Sequence, residues 1–240
     1  MTPTSGRGEA EAFFRESDYW RAWSTVPDAT ADVAYALRAV RPAHRSVLDV
    51  PCGRGRLLRA IARHRPDLRI VGVDVNRDMV RQARESVPGA VALVASVYEL
   101  PFANRAFDLV ACHQSFMHFE QPAAAIRELI RVARQDVYFS VTTRRQLNNL
   151  LRRLGLLGVS DVPHWTYNAE DLPALLTGHE FVWTVTGAFL LGAKASRLSH
   201  ARYARLHHLV GRRVPQWLLR RFGQTLFVYG HRAPSRPHEG

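Results

Sequence analysis

Lysine is almost absent from this 240-residue chain: Lys194 is the only one, so the formal net charge of +12 rests on arginine. A charge of that sign draws a protein towards nucleic acid, anionic membranes or acidic substrates. The arginines nevertheless run from Arg7 to Arg236 with only short pairs (Arg144-Arg145, Arg152-Arg153, Arg212-Arg213, Arg220-Arg221), and no aromatic-interleaved basic stripe appears. A solvated basic surface and an anion-binding face both stay open. Cysteine is scarce too: Cys52 and Cys112 are too few for a disulfide framework or a metal site, so no metal is expected. Each follows the apolar core of an expected strand, and in a reducing compartment both read as small buried thiols that neighbouring strands would bring close. Long hydrophobic runs are missing. The opening MTPTSGRGEAEAFF lacks the apolar stretch of a signal peptide, and no run is long enough to span a bilayer, so a soluble cytoplasmic protein is expected. There is no internal repeat and no low-complexity segment.

What is present is a 47% hydrophobic chain, enough for one sizeable core with a small appended cap. Aromatics cluster early (Phe13, Phe14, Tyr19, Trp20, Trp23), and 30–40 reads as a helix ending before Pro42. Apolar strand runs then follow at 46–50, 69–73, 91–95, 107–112 and 136–142, with helical periodicity at 54–64, 77–86 and 122–133. Such alternation implies a mostly parallel sheet covered on both faces. Beyond Thr143 come an Arg- and Leu-rich amphipathic stretch, the aromatic loop VPHWTYN and a helix AEDLPALLTG that Gly178 ends. A strand at 181–191, a helix at 196–211 carrying His207 and His208, and a final strand at 225–231 complete the chain.

The most informative segment is VLDVPCGRGRLL, an apolar strand entering a glycine-containing turn, with Asp74 about twenty residues on in IVGVDVN. Glycines let the backbone approach a ligand, and a carboxylate at the end of the next strand can accept both hydroxyls of a ribose. Four blocks in order, VLDVPCGRG, VGVDVNRDMV, ASVYELPF with FDLVACHQSFMHFEQP, and AAAIRELIRVAR, resemble the class I S-adenosylmethionine-dependent methyltransferases, especially their small-molecule branch. The resemblance is specific from about Val47 to Ala133 and looser to Arg232. It implies a Rossmann-like α/β fold, a seven-stranded mostly parallel sheet in the order 3-2-1-4-5-7-6 with helices on both faces and a small helical cap. It implies S-adenosylmethionine as cofactor and S-adenosylhomocysteine as product.

By the same resemblance Asp49 contacts the cofactor's amino group, Gly53 and Gly55 admit its methionine and ribose portions, and Asp74 with Val75 holds the ribose. Three departures stand out. Pro51 replaces the usual first glycine of the turn and donates no amide hydrogen bond. Ser96 stands where an acid commonly faces the adenine amino group, leaving adenine to backbone near Val97 and to apolar walls such as Met79. ARQD replaces the usual turn before the fifth strand, which should alter only a loop. A dinucleotide enzyme would also place glycines and an acid this way, but it needs G-x-G-x-x-G to admit a pyrophosphate; here Leu58 follows, and Arg54 and Arg56 crowd the turn.

Methyl transfer is an in-line displacement in which alignment supplies much of the rate, and a hydroxyl acceptor also needs a base. His113 and His118 follow the fourth strand at the topological switch point and are the candidate catalytic residues, with cofactor contact or loop packing as the alternative for each. His164, Trp165 and Tyr167 are assigned to the acceptor pocket. The N-terminal aromatics admit two readings, core packing and a lid in which Tyr19 and Trp20 bound the methionine end of the cofactor. One methyltransferase domain is therefore expected: residues 1–45 a helical lid, 46–143 the cofactor-binding core, 144–168 and 187–222 substrate-cap segments. The expected reaction methylates a small molecule, oxygen favoured over nitrogen or carbon, as in natural-product tailoring. An RNA methyltransferase and a noncatalytic cofactor-binding protein remain the alternatives, and monomer and homodimer are equally open.

Overall fold

A computed structural model describes residues 8–16, 31–144, 163–188 and 214–233. Tyr19, Trp20 and Trp23, most of the Arg- and Leu-rich stretch and the helix expected at 196–211 lie outside them. Seven strands form one sheet: β1 (Ser46–Asp49), β2 (Arg69–Asp74), β3 (Val91–Val94), β4 (Phe107–Cys112), β5 (Ala133–Thr142), β6 (Phe181–Ala188) and β7 (Thr225–Arg232). Their order is β3-β2-β1-β4-β5-β7-β6, as the motif blocks imply. Strands β1 to β5 run parallel, and β7 enters antiparallel between β5 and β6.

Every residue of β1 and β4 is buried, which is why these strands read as unbroken apolar runs instead of alternating ones. On one face Leu48, Val71, Val110 and Phe139 pack under Ile126 and Leu129 of helix Pro122–Val132. On the other, Val47, Ile70, Leu109 and Tyr138 meet Val33 and Ala36 of α2 (Ala31–Leu37), Leu58 and Ile61 of α3 (Arg56–His64), and Val80 and Ala83 of α4 (Arg77–Ser86). The two cysteines divide between these faces: Cys112 belongs to the first cluster and Cys52 to the second. Cys52 lies in the turn after β1 and Cys112 at the end of β4, so neighbouring strands do not bring the two into one cluster.

The segment expected as a loop before the fifth strand is strand. β5 begins at Ala133, directly after the preceding helix, with a register irregularity opposite Phe107 and Leu109. Its polar residues are paired, which is what lets them sit in a strand. Arg134 and Gln135 both donate to Asp108 Oδ1 at 3.0 Å, and Asp136 accepts from His44 at 2.7 Å and is bonded to His231 at 2.8 Å. The Arg41 amide donates to His44 Nδ1, so His44 carries its proton on Nε2 and donates it to Asp136. Burial alone would raise the Asp136 carboxyl, but the hydrogen bonds from His44 and His231 and the charge of Arg41 outweigh it and hold it below the usual carboxylate range. This cluster ties the amino-terminal ends of the parallel strands together, away from the end where ligands bind in such sheets.

Candidate cofactor and active site

The turn after β1 continues the sheet's hydrogen bonding before it bends away. Val50 N–H donates to Ala111 O on β4, and Cys52 N–H to Val73 O on β2, both at 2.8 Å. Pro51 lies between them in a cis peptide and has no amide to give. Gly53 has φ +50°, and a side chain there would meet nothing within 4 Å; the turn is open on that side. Gly55 is a different case. At φ +77° it caps α3, and a Cβ would press on Ser86, Val87 and Ala83 at the end of α4, so this glycine is needed for helix packing, a constraint the motif did not disclose.

Two carboxylates stand at the carboxyl ends of adjacent strands. Asp74, 7% exposed, closes β2; its Oδ2 accepts from Gly53 N–H at 2.8 Å and its Oδ1 from Asn76 N–H at 2.9 Å. Burial pushes its pKa up to about 6 against the opposing amides of Asn76, Gly53 and Val75. Asp49, 1% exposed, closes β1, and its Oδ1 has no hydrogen-bond partner among the described residues. Burial, reinforced by the Asp74 charge, holds it well above the usual carboxylate range. A buried, unpartnered carboxylate oxygen is costly unless a donor arrives, and an ammonium group is the donor that fits it. Met79 and Val97, the expected adenine walls, are buried, and Val75 is partly so.

Helix α1 (Glu9–Glu16) lies across the loops that follow β2, β3 and β4. Its first turn is held by Glu120, whose carboxylate accepts from the Gly8 and Ala10 amides. Glu11 in the same turn reaches Ser96, which donates to Glu11 Oε2. Its last carbonyls, Phe14 O and Arg15 O, accept from Asn76 Nδ2 at 3.0 and 3.2 Å. Phe13 and Phe14 thus belong to an element covering the carboxyl-terminal end of the parallel strands. Glu11, Asn76 and Glu120 were not singled out in the sequence: Asn76 reads locally only as the cap of α4, and the contacts that join the three to this site span 61 to 112 residues.

The two candidate histidines have different surroundings. His113, 8% exposed, lies 3.0 Å from Tyr138 Oη through Nδ1 and 3.1 Å from Asp32 Oδ2 through Nε2. Asp32 on α2 also pairs with Arg56 at 2.7 Å, so His113 is a junction between β4, β5 and α2. His118 ends the short 3-10 turn Phe116–His118, donates from Nδ1 to Pro163 O at 2.7 Å, and packs against Phe14 and His164, ring centroids 4.7 and 5.8 Å away. Burial lowers its pKa, so the ring is neutral near pH 7, and donation from Nδ1 makes Nε2 the basic nitrogen. Trp165 N–H donates to Met117 O at 2.7 Å, which docks the 163–168 segment onto the post-β4 turn. Tyr167 enters the core against Phe116.

Residues 48–141 match the family described as a methyltransferase domain. Over this stretch the chain is similar to methyltransferase domains. An uncharacterized methyltransferase of Schizosaccharomyces pombe is 28% identical over 53% of this chain and 48% of its own length. A demethylmenaquinone methyltransferase of Roseiflexus castenholzii is 30% identical over 61% of this chain and 58% of its own. The chain spans about half or less of the length of the first curated relatives it matches. Among solved structures, a plantazolicin methyltransferase in complex with S-adenosylhomocysteine superposes with a TM-score of 0.64 at 16% identity, covering 94% of both chains. A likeness at that identity extends the methyltransferase fold to the elements outside residues 48–141.

Proposed function

We propose that this chain is a methyltransferase that binds S-adenosylmethionine at the carboxyl ends of β1, β2 and β3 and methylates a small-molecule acceptor, preferentially at oxygen. The observation that carries the reading is the buried Asp49 Oδ1, without a partner among the described residues, one strand over from Asp74. The pair suits the cofactor's ammonium and ribose hydroxyls, which are donors that two adjacent carboxylates need. When bound, the cofactor supplies a sulfonium-activated methyl group. The protein's share is to hold Asp49 and Asp74 ready, to exclude water with α1, and to keep the post-β4 turn against the acceptor.

In this arrangement His118 is the base. It is neutral, its tautomer is set by the Pro163 carbonyl, and Nε2 takes the proton that a hydroxyl acceptor must lose. His113, with Asp32 on one side and Tyr138 on the other, positions the post-β4 turn against α2. One relative, a demethylmenaquinone methyltransferase, is named for a small-molecule acceptor, which supports that reading over RNA. A role in tailoring a natural product is part of the same proposal.

Labelled methyl transfer tests it. The enzyme is incubated with methyl-labelled S-adenosylmethionine and either pools of phenols, carboxylic acids and amines or total RNA. Label entering a small-molecule pool supports the proposal; label entering RNA alone would contradict it.

A further inference from the structure

Ser96 follows β3 at the level where adenine would lie, and its hydroxyl is already committed. Its oxygen accepts from Tyr98 N–H at 3.1 Å, and its single proton goes to Glu11 on α1. The exocyclic amino group of adenine is a donor and needs an acceptor, preferably a charged one. On the strand side of the cleft Ser96 offers only what remains of a neutral hydroxyl. Glu11 offers more. Its side chain is 20% exposed, Oε1 takes Arg15 at 2.8 Å and Oε2 takes Ser96, and a carboxylate has about four acceptor sites in all.

We infer that Glu11, carried on α1, is the carboxylate that recognises the adenine amino group, with Ser96 as the bracket that aims it. This rests on the cofactor reading above. The acid that would ordinarily be built into the sheet end is here delivered by a separate helix. That helix is moored at both ends, on Glu120 through the Gly8 and Ala10 amides and on Asn76 through the Phe14 and Arg15 carbonyls. Base recognition is thereby assigned to the same helix that covers the loops after β2, β3 and β4. The Phe14 ring on His118 extends that cover to the acceptor side.

The chemistry sets the test. Replacing the 6-amino group with an oxo group turns a donor into an acceptor, which a carboxylate repels and a carboxamide accommodates. Calorimetric titrations compare S-adenosylhomocysteine with its deaminated analogue, S-inosylhomocysteine, on the full chain. Wild type is expected to prefer the adenosyl compound by roughly ten- to hundredfold, the range of a hydrogen bond to a charged group. Glu11→Gln should reduce that preference to within about threefold, because its amide both donates and accepts. Adding Ser96→Asp to Glu11→Gln, which returns a carboxylate from the strand side, should restore it. An undiminished preference in Glu11→Gln would overturn the inference while leaving the cofactor reading intact. Failure of wild type to bind S-adenosylhomocysteine at all would overturn both.

Discussion

Asp74 binds its proton more tightly in the folded protein than in the unfolded chain, since burial lifts its pKa to about 6. A raised carboxylate contributes stability that is complete below its unfolded pKa and is lost as pH rises through the folded value. Asp74→Asn should therefore gain stability relative to wild type between about pH 4 and pH 7, read as the difference in thermal midpoint across that interval. Cofactor binding has the opposite slope, because only the ionised carboxylate accepts two ribose hydroxyls well. S-adenosylhomocysteine affinity should fall by up to about tenfold for each pH unit below 6, measured by titration calorimetry at pH 5 and pH 8. His118 carries the second residue-scale expectation. With a hydroxyl acceptor, His118→Ala should lower kcat by roughly 10²- to 10⁴-fold with little change in KM; an unchanged kcat would remove it as the base. Asp74 and the histidines after β4 were legible in the sequence because a strand end, a motif and a residue type coincide there. Glu11 and His44 were not, since each acquires its role only from a partner brought near by folding.

At the scale of elements, the strand runs with their intervening helices were readable from hydrophobic periodicity, while the polar start of β5 was not. Arg134, Gln135 and Asp136 look like a loop until Asp108, His44 and His231 are seen to satisfy them. His44 is 0% exposed, and His44→Ala removes a buried hydrogen bond to a charged group and leaves a cavity. It should cost about 3 kcal/mol by chemical denaturation, with S-adenosylhomocysteine affinity unchanged because the cluster sits at the far end of the sheet. Gly187 on β6 shows close packing of another kind. A Cβ there would come within 2.3 Å of the Leu219 backbone in helix Gln216–Phe222, and main chain cannot swing aside as a side chain can. Gly187→Ala should lower stability by about 1–3 kcal/mol or more, visible as a reduced thermal midpoint.

Considered as a whole molecule, the sheet splits into two roles along its strands. The amino-terminal ends are tied by a polar cluster, and the carboxyl-terminal ends carry Asp49, Asp74, His113 and His118, with α1 packed against the loops that follow β2, β3 and β4. Motif resemblance made the strand order and the cofactor end legible; coverage of that end by α1 came from contacts between residues distant in sequence. No described helix is long and apolar enough to cross a membrane. The most direct measurement of the central claim is a calorimetric titration of S-adenosylhomocysteine into the full chain, wild type and Asp74→Ala side by side near pH 7.5. The account requires saturable binding at one site by wild type, weakened at least tenfold in Asp74→Ala, as expected when hydrogen bonds to a charged group are lost. No binding by wild type, or equal affinity in the two proteins, would contradict it.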